Sequence, residues 1–395
     1  MLIGIDASRA NIQKKTGTEW VSYHIIQELK KIADPHDQYI LYSKEPLIGD
    51  LSVLPVNFKN KVLKWNPKYL WTQLRLSWEM LFHEVDVLYV SAHTIPIIHP
   101  SNTIATLHDV GFENNPEFYS QKLIGPDNSL IKRIIYILVK VFTLGRYSNN
   151  ELDYHRWSTR LALKAKTIVT VSNFSKIQII DKFHVNPDKI KVIYNGFNQD
   201  YKKIDNLEKI KSVLKKYQIT TPFLLNIGRL EYKKGTIELI KAFSIFIKKI
   251  KNSHKLILIG NPGNGFSEIK KLIDNLNLNE KIIMPGWVGE NDLPYIMNAA
   301  DLFVFPSRYE GFGIPIIEAM ACQIPVITSN FGAMKEVSGN AALLINPDNL
   351  ENLAQSIDTL INDKKLRSLM IQNGLKNIIK YSWETSAKQI KTLFA

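Results

Sequence analysis

The sequence has few of the features that mark a secreted, zinc-binding or membrane-spanning protein. Its 395 residues include one cysteine, Cys322, so an intramolecular disulfide and a zinc site built from several cysteines are excluded. The longest apolar run, 134–144, is interrupted by Lys140, whereas a membrane-spanning helix needs about 20 apolar residues. Residues 1–6 are typical of a short strand rather than of a signal peptide. We therefore expect a cytoplasmic protein without a transmembrane segment.

Two recognition patterns are also missing. No strand-like segment is followed by Gly-x-Gly-x-x-Gly, and the nearest text, at 260–265, has a different spacing. This argues against a dinucleotide-dependent oxidoreductase. The basic residues are not interleaved with aromatic residues in a recognition segment, so we expect no nucleic-acid partner.

Positive charge, by contrast, is in excess. Lysine and arginine number 50 and aspartate and glutamate 37, which gives a net charge of +13. Such an excess suits phosphorylated small molecules or an acidic membrane surface. The alternative is a lysine-rich surface that is simply solvated.

Strand-like and helix-like segments alternate along the whole chain, which predicts parallel sheets built from βα units. The predicted strands are 2–6, 39–43, 85–90, 103–108, 167–172 and 191–195, then 223–228, 255–260, 281–286, 302–306, 325–329 and 342–345. Two sets of six indicate an α/β protein with two Rossmann-like domains that face each other across a cleft. We place the domains at 1–198 and 199–380. The last segment, about 381–395, is helical in pattern and could pack on either domain.

The stretch 306–320, Pro-Ser-Arg-Tyr-Glu-Gly-Phe-Gly-Ile-Pro-Ile-Ile-Glu-Ala-Met, carries the strongest chemical signal. Gly311 and Gly313 let backbone amides approach a ligand, and a helix that starts after such a turn is an anion site. Glu310 in the turn and Glu318 in the helix could accept hydrogen bonds from sugar and ribose hydroxyls. The alternative is an ordinary strand-to-helix turn in which Glu318 is a favourable first-turn charge.

Basic residues follow the predicted strand 223–228, where Arg229 precedes Lys233 and Lys234. The carboxyl ends of parallel strands are where α/β sheets bind ligands, and arginine with lysine can neutralise a pyrophosphate. Stabilising the charge that develops there as a glycosidic bond breaks would lower the barrier. For the two lysines, a solvated loop is the alternative.

The first half offers two further candidates. His108 ends a predicted strand, and an imidazole there could orient a sugar hydroxyl or carry a proton near neutral pH. Gly17 opens a helix-like segment after the first strand, where a phosphate or sugar could approach. A satisfied polar group is the alternative for His108.

Together these segments resemble the family 4 glycosyltransferases, which have the GT-B fold and retain the donor's anomeric configuration. The likeness covers about residues 2–385 and is strongest over 223–350. The matching pieces are Asn226-Ile227-Gly228-Arg229-Leu230, Lys234-Gly235, Glu310 and Glu318 spaced as Glu-x7-Glu, Pro325-Val326-Ile327, Glu336-Val337, Asn346-Pro347-Asp348, Leu107-His108-Asp109, 171–175 and 193–196.

The resemblance implies a donor site in the second domain. Arg229 and Lys234 would hold the pyrophosphate of a nucleotide-sugar, together with backbone amides around Phe312, Gly313 and Ile314. No Asp-x-Asp occurs in the chain, and in this family cations and helix amides replace a divalent metal. We therefore expect neither a cofactor nor a metal.

The remaining roles also follow from the resemblance. Glu318 would take the ribose hydroxyls, and Val288 would contact the base through its backbone. The two catalytic candidates are Glu310, near the reacting centre, and His108, which would position the sugar from the first domain. The family likeness further suggests that the last helix crosses back to the first domain. A front-face substitution assisted by the departing phosphate is the expected mechanism, because no nucleophilic carboxylate can be named.

The segment 71–75, Trp-Thr-Gln-Leu-Arg, resembles bacterial mannosyltransferases of surface polysaccharide synthesis. The expected function is transfer of a hexose, with GDP-mannose as first donor, to a glycan or lipid-linked acceptor. The alternatives are a UDP-sugar-dependent transferase and a non-catalytic nucleotide-sugar-binding protein of the same fold. A nucleotide-sugar epimerase or a phosphorylase of the same fold is a further alternative, and the phosphorylase is less well supported because no pyridoxal-phosphate lysine site is recognised.

The sequence departs from the family pattern in two places. The turn after the first strand has only Gly17, where many relatives are richer in glycine. The segment 118–160 is long, and its apolar run is flanked by basic residues, namely Lys122, Lys132, Arg133, Lys140, Arg146, Arg156 and Arg160. This pattern is typical of contact with an anionic membrane, on the inner membrane face. A buried helix of the first domain with basic ends is the alternative, and we favour it.

Overall fold

Two parallel β-sheets organise the chain. The computed structural model describes residues 1–66, 70–119, 129–142, 145, 150–249 and 253–395. It divides into a first unit, Met1–Gly196 with Ser382–Ala395, and a second unit, Phe197–Tyr381. Each unit contains one parallel sheet with helices, which confirms the prediction of two Rossmann-like domains. The first unit's main segment ends two residues before the predicted boundary at 198.

The first sheet has seven parallel strands in the order β3-β2-β1-β4-β5-β6-β7. They are β1 (Leu2–Asp6), β2 (Gln38–Ser43), β3 (Phe58–Val62), β4 (Val87–Val90), β5 (Thr103–Thr106), β6 (Thr167–Thr170) and β7 (Ile190–Val192). Six of these strands were predicted. The prediction missed β3 because this edge strand, with the sequence Phe-Lys-Asn-Lys-Val, is polar at three of its five positions.

The second sheet has six parallel strands in the order β10-β9-β8-β11-β12-β13. They are β8 (Phe223–Ile227), β9 (Lys255–Ile259), β10 (Ile282–Gly286), β11 (Leu302–Phe305), β12 (Val326–Ser329) and β13 (Ala342–Ile345). All six were predicted, because strands covered on both faces are almost continuously apolar.

Helices connect the strands in both units. Those of the first unit are α1 (Gly17–Ile32), α2 (Leu76–Phe82), α3 (Gly111–Asn114), α4 (Ser129–Phe142), α5 (Glu151–Ala162) and α6 (Asn173–Phe183). Those of the second unit are α7 (Leu207–Lys216), α8 (Thr236–Lys249), α9 (Phe266–Asn275), α10 (Leu293–Ala299), α11 (Ile314–Ala321), α12 (Gly332–Ser338), α13 (Leu350–Asn362) and α14 (Lys364–Ile378). Short 3-10 helices lie at Gly49–Ser52, Pro116–Phe118, Pro187–Lys189 and Tyr232–Lys234, and a π-helix lies at Trp71–Arg75.

The last helix, α15 (Trp383–Thr392), belongs to the first unit. Trp383 stacks on His24 of α1, with ring centroids 5.2 Å apart and planes 11° apart. Lys391 Nζ donates a hydrogen bond of 2.7 Å to the carbonyl of Ile32, at the end of α1. At Gly196 a Cβ atom would lie 2.2 Å from the Trp383 nitrogen, so this close approach requires glycine.

The order of the second sheet positions the candidate site. The chain adds β9 and β10 on one side of β8 and then returns to place β11 on the other side. Leu302 and Phe303 of β11 pair with Leu224 and Leu225 of β8. The loops after β8 and β11 therefore leave the same edge of the sheet side by side, at the switch point where α/β sheets bind ligands.

Candidate functional site

Close packing joins the loop after β8 to the loop after β11. The side chain of Asn226 donates a buried hydrogen bond of 2.8 Å to the carbonyl of Val304, across the two strands. Gly235 has a left-handed φ of 66°, and a Cβ atom there would lie 2.1 Å from the Pro306 carbonyl oxygen. Only glycine permits both the conformation and the approach. The backbone N–H of Arg308 then donates to the carbonyl of Lys233 at 2.8 Å.

This packing brings the predicted phosphate-binding lysine to the predicted catalytic carboxylate. Lys234 Nζ lies 2.6 Å from Glu310 Oε1, and the two side chains are only 19% and 13% exposed. The hydroxyl of Ser307 donates to the same oxygen at 2.8 Å. Charge-assisted hydrogen bonds of this kind are stronger when partly shielded from water. The pair therefore holds one cation and one carboxylate at the edge of the sheet.

The two arginines near this pair differ in availability. Arg308 donates to Glu238 of α8 at 2.9 Å and to Asp348 at 2.5 Å, so it ties its own loop to α8 and to the loop after β13. Arg229 is exposed, and within the described residues no ion pair engages its guanidinium. Its side-chain stem lies over Gly263, where a Cβ atom would come within 2.7 Å of it. The bare glycine thus lets Arg229 lie flat on the loop after β9.

The start of α11 adds backbone donors beside this pair. Gly313 caps the helix with a left-handed φ of 101°, and Ile314 is the first helical residue. Phe312 is buried, and its ring packs edge-on against Tyr381 at 5.4 Å. The first amides of a helix have no partner within the helix and carry the positive end of its dipole. The loop holding Glu310 therefore leads directly into an anion-binding helix start.

Glu318 lies one turn into α11 in an unusual environment. Burial, with a smaller contribution from the charge of Glu290, raises the pKa of Glu318 to about 8. The same two carboxylates, after burial, raise the pKa of the buried Tyr201. Glu290 follows the buried Val288 by two residues in the loop after β10. The prediction did not name Glu290 or Tyr201, although the place of Glu290 next to Val288 was a signal.

The other two predicted residues lie in the first unit. His108, just past β5, is 5% exposed, and its Nε2 lies 3.3 Å from the Ser91 carbonyl oxygen. Burial lowers its pKa, against smaller opposing contributions from Asp109 and Glu19. Glu19 is the third residue of α1, so the helix that begins at Gly17 lies within electrostatic reach of His108. A Cβ atom at Gly17 would have no neighbour within 4 Å, so packing does not require glycine there.

A second histidine, which the prediction missed, lies beside His108. The rings of His93 and His108 are 5.1 Å apart, and His155 is 6.4 Å from His93. The Nδ1 atom of His93 is buried, and no described residue gives it a hydrogen-bond partner. Burial, then the charge of His108, lowers the pKa of His93 to about 3. Because His93 stands in an irregular loop after β4, no periodic pattern pointed to it.

The membrane candidate 118–160 is only partly described. Lys122 and Arg146 lie outside the described residues, and the side chain of Lys132 is not described. The described side chains of α4 are all exposed, namely Leu130, Arg133, Ile134, Tyr136, Ile137, Leu138, Lys140 and Val141. The favoured interpretation of a buried helix is therefore wrong for these side chains. No helix of the described residues combines the length and apolarity needed to cross a bilayer.

Comparison with known proteins matches both halves of the chain. The family model described as "Glycosyl transferases group 1" matches residues 180–377, which is half of the 395 residues. The model described as "Glycosyltransferase Family 4" matches residues 16–201. Both candidate sites therefore lie within the matched regions.

Among individual proteins, the chain is similar to O-antigen chain mannosyltransferase B of Escherichia coli. The two are 33% identical over 254 residues, which is 64% of this chain and 66% of that relative. The match thus spans just under two thirds of the relative's length. The fold is similar to that of WaaG, a glycosyltransferase involved in lipopolysaccharide biosynthesis, with a TM-score of 0.71, 16% identity and full coverage of both chains. It is also similar to Anabaena Alr3699/HepE in complex with UDP and glucose, with a TM-score of 0.68, 19% identity and coverage of 99% and 98%.

Proposed function

Because this chain belongs to the glycosyl transferases group 1 family, we propose that it transfers a hexose from a nucleotide-sugar held in its second unit. The acceptor is a glycan or a lipid-linked glycan in polysaccharide synthesis. The observation that carries the proposal is the part-buried pair of Lys234 and Glu310, held between neighbouring loops beside the start of α11. A cation, a carboxylate and free helix amides at one sheet edge suit a sugar linked to a pyrophosphate.

The pyrophosphate is the part of the donor that this site fits best. Exposed Arg229 and part-buried Lys234 supply two positive charges, and the amides of Gly313 and Ile314 supply the helix start. A phosphate that draws Lys234 towards itself leaves Glu310 Oε1 with Ser307 alone, so the carboxylate can accept a hydrogen bond from the sugar in place of the ion pair. These groups stabilise negative charge without a divalent metal, so we expect activity to survive EDTA.

The nucleoside side of the donor meets Glu318 and the loop of Val288. A carboxyl whose pKa is about 8 is protonated at pH 7 and can donate as well as accept hydrogen bonds. Ribose hydroxyls that donate to Glu318 favour its ionised form, so donor binding lowers this pKa. Donor affinity is therefore expected to rise between pH 7 and pH 9.

For the chemical step we infer a front-face substitution with retention. The bond between the anomeric carbon and the phosphate oxygen breaks, and the acceptor oxygen bonds to the anomeric carbon from the same face. The acceptor's proton passes to the departing phosphate. Glu310 acts on the transferred sugar, and its replacement by glutamine tests this role. A folded Glu310→Gln variant that transfers sugar at nearly the normal rate would remove Glu310 from the mechanism.

GDP-mannose is the first donor that we propose, because the O-antigen mannosyltransferase is similar over 64% of this chain. UDP-sugars are the second candidate, because the similar fold of HepE was solved with UDP and glucose. A donor screen with GDP-mannose, UDP-glucose, UDP-GlcNAc and UDP-galactose, with and without EDTA, separates them by nucleotide release and thermal shift. Stabilisation without turnover under any acceptor condition would favour a non-catalytic binding protein.

We also propose a peripheral position on the inner membrane face, which would bring the enzyme to a lipid-linked acceptor. The support is α4, where apolar side chains such as Ile134 and Ile137 are 56% and 58% exposed beside Arg133 and Lys140. Replacing both isoleucines with aspartate is expected to reduce co-sedimentation with anionic vesicles at low salt. Unchanged co-sedimentation would exclude α4 as the contact.

A further inference from the structure

The second helix of the first unit has an apolar face that its own unit leaves exposed. Leu76 and Met80 are buried, whereas Trp78, Leu81 and Phe82 are 62%, 52% and 59% exposed. The rings of Trp78 and Phe82 pack together with their centroids 5.1 Å apart. Residues spaced by three and four positions share one face of a helix. The three side chains therefore form one continuous surface.

This surface extends into the loop after β4. The backbone N–H groups of Ile97 and Ile98 donate to the Ser77 hydroxyl at 2.7 Å and 3.2 Å, which fixes the loop against α2. Both isoleucines are exposed. We name the five exposed residues Trp78, Leu81, Phe82, Ile97 and Ile98 the α2 ridge. Contiguous apolar patches of this kind mark interaction surfaces, whereas scattered apolar residues do not.

Charges of both signs lie beside the α2 ridge, and the exposed carboxylates of Glu84 and Asp86 follow Phe82 in the chain. Glu79, whose side chain is 4% exposed, pairs with Lys61, with Arg75 at 3.5 Å and with His83 at 3.4 Å. One carboxylate thus faces two permanent cations and an imidazole. Aromatic rings prefer the headgroup level of a bilayer, and nearby cations meet its phosphates. The exposed rings of Trp78 and Phe82, with the Lys61 and Arg75 cations nearby, therefore have the chemistry of a contact with a phospholipid surface.

Topology puts the α2 ridge and α4 on the same side of the first sheet. The connections β3→β4 and β5→β6 step in the same direction across the strand order. Right-handed crossovers that step the same way lie on the same face of a sheet. The first connection carries α2 and the second carries α4 and α5. Gln73, next to α2, donates to the hydroxyl of Tyr154 in α5 at 3.2 Å, in agreement with this arrangement.

We propose that the α2 ridge is a second membrane-docking surface, which inserts Trp78 and Phe82 into the headgroup region of an anionic bilayer. A second copy of this chain is the other possible occupant, and the oligomeric state of the lipid-free protein distinguishes it. This proposal rests on the proposed function in one respect: docking would give the enzyme access to a lipid-linked acceptor.

The experiment compares two double variants of the full chain. Trp78→Ser/Phe82→Ser removes the ridge aromatics, and Leu369→Ser/Ile379→Ser removes two apolar residues of the second unit that are 49% and 80% exposed. Co-sedimentation uses phosphatidylcholine vesicles with and without about 30% phosphatidylglycerol. Wild type and the control are expected to bind anionic vesicles. The ridge variant is expected to bind at least about tenfold more weakly.

A milder variant guards against loss of folding. Trp78→Phe keeps an apolar ring, so vesicle binding is expected to persist while the blue shift of tryptophan emission on binding is reduced. Equal binding by the ridge and control variants, or no binding by wild type, would overturn the proposal. If the wild-type protein is a dimer without lipid and the ridge variant is a monomer, the proposal is also overturned, and the α2 ridge is a self-association surface. Donor turnover in solution, measured on the same proteins, tests the proposed function separately.

Discussion

The two units hold their polar groups in opposite ways. In the second unit, Lys234 and Glu310 form an ion pair 2.6 Å long between two loops, and exposed Arg229 lies nearby. In the first unit, the rings of His93 and His108 lie 5.1 Å apart, and burial lowers the pKa of both, so both are neutral at pH 7. Paired and exposed charges suit phosphates. Neutral imidazoles suit hydroxyl groups, because they exchange hydrogen bonds without bringing net charge into a buried place.

The largest effect is expected from removing the cation of the second unit. Lys234→Ala takes one charge from the pyrophosphate and leaves Glu310 part-buried without its counter-ion. We expect kcat/KM for the donor to fall by about 100-fold or more. Lys233→Ala is the matched control, because its ammonium lies over the Tyr309 ring at 5.5 Å. Nucleotide release measures both variants. Similar losses of kcat/KM in the two would show that Lys234 contributes only general positive charge and has no specific role.

A smaller effect is expected from the neutral histidine of the first unit. His108→Asn keeps a polar group near the Ser91 carbonyl but loses the imidazole. We expect kcat to fall by about tenfold, which is less than the loss of about 100-fold or more that removal of a proton-transferring group causes, because His108 would position the sugar. Because burial lowers the pKa of His108, the wild-type rate should show no His108 ionisation between pH 7 and pH 8. A rate step in that range that disappears in the variant would contradict the neutral state.

The two units also differ in how far the sequence predicts them. In the second unit, Gly235, Glu310 and the start of α11 stand at fixed spacings, because close backbone packing and a helix start impose residue types locally. All six strands of that sheet were predicted, and eight of the ten named site residues lie in this unit, where their roles stay predictions. Residue spacing in the sequence therefore predicts those features that depend on local backbone geometry.

What the sequence could not provide depends on tertiary placement. The half-polar edge strand β3 has no apolar pattern, and His93 meets His108 only because the ends of β4 and β5 are adjacent. The α2 ridge could not be predicted either, because the amino-acid sequence alone does not tell whether an apolar residue of a helix is exposed or buried. Exposure of Trp78 and Phe82 follows from what covers α2, and spacing within α2 does not contain that information.

Glu318 gives a prediction in which stability and binding change in opposite directions. Its pKa is about 8 in the folded chain, above the usual 4.5, so the unfolded chain releases this proton first as pH rises. Folding stability attributable to Glu318 is therefore lost between about pH 4.5 and pH 8. Glu318→Gln should stabilise the protein by up to roughly 4 kcal/mol at pH 8 and by about 1 kcal/mol at pH 5. Thermal unfolding at both pH values measures this difference.

The same variant should weaken donor binding, because glutamine cannot become a carboxylate for the ribose hydroxyls. Thermal shift with GDP, UDP and their sugars reports this loss. Equal stability of wild type and Glu318→Gln at both pH values would show that Glu318 is ionised in the folded chain. Stabilisation with unchanged donor binding would remove Glu318 from the nucleotide site and leave it a part-buried acid with no role in donor binding.

The smallest effect is expected from a substitution at Gly17. Comparing it with the same substitution at Gly235 tests how tightly the two units pack around these glycines. A Cβ atom at Gly17 would have no neighbour within 4 Å, and the residue begins α1. Gly17→Ala should therefore change the free energy of unfolding by less than about 0.5 kcal/mol. Gly235→Ala, with φ of 66° and a Cβ atom 2.1 Å from the Pro306 oxygen, should cost about 2 kcal/mol or more. If Gly17→Ala leaves stability intact but raises KM for the acceptor or donor, Gly17 serves ligand approach. If neither stability nor kinetics changes, Gly17 is outside the site.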